Sequence, residues 1–201
     1  AGAYDVWIGT SAGLSYVDKK AGLFRNISYN QSRPNGISEG TVWSLVKGDG
    51  DVIWLNTTDS LDSFDTKTGL FTHYKHDPLN ENSIGAGILY GITRDRYGNI
   101  WLGTGLGLTK FEVELERFTR YEHRVGDLNG LGHGTVLNIM EDREGNIWSS
   151  LLSYFNPNIE RFGHYLPDAN SSPASYRNWV SSVMESDNGD IWVGTRSNVI
   201  T

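Results

Sequence analysis

Glu39 and His133 stand at equivalent places in an internal repeat, each fifteen positions before a recurring tryptophan, and Asn138 follows the histidine by five residues. A carboxylate, an imidazole and an amide oxygen are donors that could hold a divalent cation, which would polarise an ester or phosphoryl oxygen. His133 could instead serve as a general base beside Glu39. A second chemistry comes from Trp43, Tyr90 and Trp179, whose rings could stack on a sugar while Asn138, Arg177, Asp59 and Arg196 fix its hydroxyls. The competing reading is that the aromatics fill the hub of the fold and that Glu39, His133 and Arg177 are solvated loop residues. No Gly-x-Ser-x-Gly elbow, P-loop or dinucleotide fingerprint is present. The chain has no cysteine, which excludes disulfides, thiolate metal sites and a cysteine nucleophile.

The repeat must position these residues. Trp7, Trp54, Trp101 and Trp148 are spaced by 47 residues, and Trp192 follows after 44. Around them the chain reads Asp5-Val6-Trp7-Ile8-Gly9-Thr10, Val52-Ile53-Trp54-Leu55-Asn56-Thr57, Asn99-Ile100-Trp101-Leu102-Gly103-Thr104, Asn146-Ile147-Trp148-Ser149-Ser150-Leu151 and Asp190-Ile191-Trp192-Val193-Gly194-Thr195. Leu14, Leu61 and Leu108 keep the same period. So do Val17, Phe64 and Phe111, then Phe24, Phe71 and Phe118, and finally Asn35, Asn82 and Asn129. The fourth unit is three residues shorter and realigns at Arg161-Phe162-Gly163-His164-Tyr165.

Each unit predicts four strands. An inner strand A runs through 42–46, 89–93, 136–140 and 180–184. A Gly/Asn turn follows, such as Asp95-Arg96-Tyr97-Gly98-Asn99, whose residues accept the positive φ of a tight hairpin. Strand B carries the tryptophan and is apolar at successive positions, so both its faces are buried. Strands C and D follow, and a polar loop such as Asp77-Pro78-Leu79-Asn80-Glu81-Asn82 leads to the next unit. Four strands per 40–50 residues is the signature of an all-β β-propeller, whose blades stack around an axis. The chain reads as one such domain over 1–201, with units near 1–35, 36–82, 83–129, 130–173 and 174–201. The candidate residues then gather at the channel mouth, where D–A and B–C loops meet. A divalent metal held there would resemble propeller lactonases and phosphotriesterases, so the alternative function is a metal- or His-dependent hydrolase or lyase. His73, His123 and His164, on or after the outer strand, and His76 beyond it read as edge residues.

At this point the chain resembles the two-component regulator propeller repeat. The resemblance rests on Ile100-Trp101-Leu102-Gly103-Thr104, Gly107-Leu108 and Phe118-Thr119-Arg120-Tyr121. It rests also on Thr66-Lys67-Thr68-Gly69-Leu70-Phe71-Thr72-His73-Tyr74-Lys75-His76-Asp77-Pro78 with Asn80 and Asn82-Ser83-Ile84. It covers nearly the whole chain, departing where Ser149-Ser150 replaces Gly-Thr. It implies a periplasmic or extracellular sensor propeller standing before a bacterial signalling kinase, with a small-molecule or glycan ligand.

Net charge is −7 over 201 residues, which argues against nucleic acid as a partner. No apolar run approaches a membrane span, so no membrane insertion is expected. The chain opens at a strand B and ends just after another, leaving unpaired edges. Mixing of the terminal strands into one blade, pairing of two copies as a homodimer, or membership of a larger propeller would each satisfy them.

Overall fold

The computed structural model describes residues 5–124, 127, 130–131, 134–150, 153–157, 159–164, 180–195 and 199–200. Among them are five antiparallel sheets in chain order. Sheet one holds β1 (Asp5–Thr10), β2 (Gly13–Asp18) and β3 (Leu23–Ile27). Sheet two holds β4 (Ser44–Lys47), β5 (Val52–Asn56), β6 (Ser60–Asp65) and β7 (Leu70–Lys75). Sheet three holds β8 (Leu89–Arg94), β9 (Ile100–Thr104), β10 (Gly107–Glu112) and β11 (Arg117–Glu122). Sheet four holds β12 (Ile139–Glu141), β13 (Ile147–Ser149), β14 (Ser153–Asn156) and β15 (Arg161–His164). Sheet five holds β16 (Val180–Glu185), β17 (Ile191–Thr195) and β18 (Val199–Ile200). Sheets one and five have three strands each and are not hydrogen-bonded to one another among the described residues.

The tryptophan strand is buried on both faces because it lies between two strands of its own sheet and between two neighbouring sheets. All of Ile100–Thr104 is buried. Trp54 and Trp101 each face the following sheet. Trp54 packs with Ile84, Leu89, Ile92 and Phe111 of the third unit, and Trp101 with Val136, Ile139 and Phe155 of the fourth. At Gly9 and Gly103, two places after their tryptophans, close approach demands glycine. A Cβ on Gly103 would lie 2.3 Å from the Val136 carbonyl oxygen, and one on Gly9 2.8 Å from that of Val42. Beside this point a backbone bond joins consecutive sheets: Val42 N–H donates to Thr10 O (3.0 Å), Leu89 N–H to Thr58 O (3.2 Å) and Val136 N–H to Thr104 O (3.0 Å).

The turn before the tryptophan does more than reverse the chain. Asp95 is buried and accepts from the amides of Tyr97 and Asn99, from Asn99 Nδ2, and from Trp101 Nε1 at 2.8 Å. Asp142 repeats this with Asn146 and Trp148. The aspartate thus closes the hairpin and satisfies the indole N–H in the interior, where an unmade hydrogen bond would be costly.

Outside the turns, oppositely charged groups pair from one sheet to the next. Arg94 contacts both oxygens of Asp49 at 2.6 Å, Arg96 Nε donates to Glu141 at 2.6 Å, and Arg143 Nε lies 3.5 Å from Glu185. The position five before one tryptophan therefore meets the position seven before the next.

The histidines are not free edge residues. His76 Nδ1 and His123 Nδ1 each sit 2.8 Å from a loop carbonyl eight residues on, of Ile84 and Leu131. His164 Nδ1 lies 2.8 Å from Ser153 Oγ across strands β14 and β15, and His73 joins a buried carboxylate described below. His76 and His123 thus tie the start of the loop leaving an outer strand to its far end, while His73 on β7 and Arg120 on β11 hold the loop that enters their own sheet.

Candidate functional site

The inner strands lie side by side in the order β4, β8, β12, β16. Three of them, β4, β8 and β16, begin with a distortion, at β16 between Val180 and Ser182. Both Ser44 and the Trp43 amide oppose Asn56, and the register of β8 on β9 shifts between Leu89 and Ile92. A bulge of this kind twists the strand and re-aims the side chains at its mouth end. The affected positions are those of Trp43 and Tyr90, with Asn138 at the equivalent start of β12.

Trp43 is 54% exposed, while Trp54 and Trp101 are buried. It does not plug the hub. Beyond it at the same end, Ile88 is 44% and Leu106 54% exposed, joined through the bond from Gly105 N–H to Ile88 O (3.0 Å). Tyr90 and Asn138 are half-buried and belong to adjoining strands, for a Cβ on Gly91 would stand 3.2 Å from Asn138 Cα. Glu39 is exposed beside Gly40, which rests against Thr58. Asp59 extends the same rim but is engaged by Lys75 Nζ at 3.1 Å. His133, Arg177, Trp179 and Arg196 lie outside the described residues. Among the described residues no three His, Asp or Glu side chains converge as a metal site.

Sequence reasoning passed over Asn56, which takes the place of the motif glycine. It is fully buried; its Nδ2 donates to Tyr90 O at 3.1 Å, and its Oδ1 has no hydrogen-bond partner. At the equivalent place Ser150 Oγ accepts the Leu137 amide at 2.9 Å. Departures from the glycine thus fall under the mouth, where they hydrogen-bond the inner strands.

A second polar group lies at the outer side of sheet two. Asp62 is fully buried and accepts Ser38 N–H (2.9 Å), Ser38 Oγ–H (2.8 Å) and Ser60 Oγ–H (2.6 Å). His73 Nδ1 is 3.0 Å from Asp62 Oδ1 and 2.9 Å from Ser38 Oγ, while its Nε2 is 3.2 Å from Pro34 O. The residue types are those of an acyl-transfer triad, but the arrangement is not. A triad imidazole bridges serine and aspartate through opposite nitrogens. Here both sit on Nδ1 and Nε2 is spent on a carbonyl, so the group is a tie between loop and sheet.

Sheets of four antiparallel strands, stacked through their tryptophan strands with inner strands side by side, define the chain as β-propeller architecture. Residues 177–197 match the family model described as two component regulator propeller. That match takes in the last tryptophan strand, the strand before it and the turn between them. No curated protein matches it in sequence. Among solved structures it is similar to an extracellular domain ascribed to the hybrid two component system BT3049 of B. thetaiotaomicron, with TM-score 0.79 and 20% identity over 98% of this chain. A second such domain, BT4673 of the same organism, gives 0.76 and 16% over 99%. The chain spans 26% of the length of each. The virginiamycin B lyase of Staphylococcus aureus gives 0.65 and 14% over 96% of this chain and 60% of the lyase. Among the described residues no helix is long and apolar enough to cross a membrane.

Proposed function

We propose that this chain is a ligand-recognising propeller module of an extracytoplasmic two-component sensor, and that its ligand is a glycan bound at the channel mouth. The observation that carries this reading is Trp43, more than half exposed at the start of an inner strand, whereas Trp54 and Trp101 are buried. An exposed indole flanked by a phenol, an amide and a carboxylate is suited to a sugar, with the ring face stacking and the polar groups taking hydroxyls. The repeat and the likeness to sensor ectodomains support the sensing role and the compartment. A glycan array, followed by calorimetry on the best binder, tests it. Trp43→Ala is expected to weaken that binding about tenfold or more without altering the fold. Absence of any glycan binder, or binding indifferent to Trp43→Ala, would remove the reading.

A further inference from the structure

The sheets repeat, yet their junctions do not fill equally. Twenty positions after the tryptophan the chain carries Ile27, Tyr74 and Tyr121. Tyr74 packs on Trp54, Phe111 and Phe118 between sheets two and three, and Tyr121 on Trp101, Phe155 and Phe162 between sheets three and four. Between sheets one and two the smaller Ile27 leaves that volume open. The loop beside it is also held differently. In the second junction Asn82 reaches across with its side chain, its Oδ1 accepting Phe118 N–H (2.7 Å) and its Nδ2 donating to Glu116 O (3.0 Å). In the first, the backbone oxygen of the equivalent Asn35 accepts Phe71 N–H at 3.1 Å, and its side chain makes no such bridge among the described residues.

The result is a cavity of about 420 Å³ between loop 28–37 and the turn at 69–71. That is a volume in the range of small-molecule sites. Ile27, Ile37, Leu70 and Phe71 supply apolar lining, and Ser28, Ser32 and Asn35 polar lining. Arg33 is the one charged residue among the residues lining it. Among the described residues no carboxylate pairs with its guanidinium, although the chain carries net charge −7. A planar cation with a forked set of donors at the wall of a partly apolar cavity matches a carboxylate on an apolar body.

We infer that this inter-sheet cavity is a binding site for a small organic carboxylate, with Arg33 taking the carboxylate and the Ile27 side holding the apolar body. The site is separate from the channel mouth and does not depend on the glycan reading.

Titration of the whole chain with sodium benzoate and with sodium hexanoate, followed by amide NMR, tests it. At least one is expected to give saturable shifts centred on 28–37 and 69–71. Arg33→Ala and replacement of benzoate by neutral benzamide should each weaken binding about tenfold, the loss of a charge-assisted pair. Ile27→Tyr, which installs the residue of the other junctions, should abolish binding while thermal unfolding stays cooperative. Trp43→Ala should leave it unchanged. The inference is overturned if neither probe saturates, if the shifts centre elsewhere, if Arg33→Ala or benzamide binds as benzoate does, if folded Ile27→Tyr still binds, or if Trp43→Ala removes binding.

Discussion

The junction between sheets one and two and the junction between sheets two and three are built from the same columns of sequence and end up different. In the second, Trp54 and Tyr74 interlock with Phe111 and Phe118, and Asn82 and Arg120 fasten the connecting loop, the latter through Asn80 O and Ser83 O at 2.8 Å each. In the first, Trp7 is half-buried with its indole nitrogen unpartnered, isoleucine replaces the tyrosine, and the loop is held by the Asp62 group and one backbone bond. A repeat therefore sets where sheets meet, while single columns decide whether a junction is solid or hollow. Close packing is what makes this possible, since one side chain of the wrong volume leaves a void its neighbours cannot close.

The largest difference should appear on truncating the tryptophans. Trp54→Ala is expected to cost about 3–5 kcal/mol in urea unfolding, and Trp7→Ala clearly less, because Trp7 is already partly in water. Equal costs would show the junctions to be alike. Next comes the Asp62 group. Asp62→Ala leaves a buried amide and two hydroxyls without their acceptor and should cost about 3 kcal/mol, against about 1 kcal/mol for Thr109→Ala at the same place in sheet three.

Alkali provides a third probe. Burial, with Glu160 and Glu112 nearby, pushes the Tyr121 phenol up to about 12, and burial raises Tyr74 as well. A phenol raised in the folded state contributes stability that is present below its ordinary value near 10 and is lost as pH climbs from there, for Tyr121 through about 12. Tyr121→Phe should remove about 2 kcal/mol of that alkaline loss. The first junction has Ile27 in this column and should contribute nothing, so an Ile27→Tyr chain should gain alkaline sensitivity. The smallest effect separates the asparagines: Asn82→Ala should cost about 1 kcal/mol and Asn35→Ala less than about 0.5 kcal/mol.

Much of this architecture was legible in the chain. The tryptophan period, apolar at successive positions, required strands covered on both faces, and the sheets follow it. The Asn35, Asn82 and Asn129 column was visible as a column but not as a bridge, because an amide crossing to the next sheet leaves no local pattern. The Asp-x-x-Gly-Asn turn was read through its backbone needs alone. Its aspartate also answers the indole six residues on, a pairing that only the hairpin's closure brings about. Exposure of Trp43 could not be read from its type, for the same residue buried would have looked identical. Nor could the engagement of Asp59 by Lys75, which depends on how the loop of one hairpin falls beside the outer strand.

The alternating charges outside the turns bear on how such a chain avoids assembling wrongly. Units this alike invite slippage, in which one is skipped and its successor docks in its stead. Were the third unit passed over, Asp49 would confront Glu141 instead of Arg94. Were the fourth to be followed by a copy of the third, Arg143 would confront an arginine. Exposed pairs add little to the stability of the finished molecule. Their signs nonetheless set the junction of sheets two and three, acid before base, apart from the next two, base before acid, so that a slip which mixes the two kinds meets repulsion.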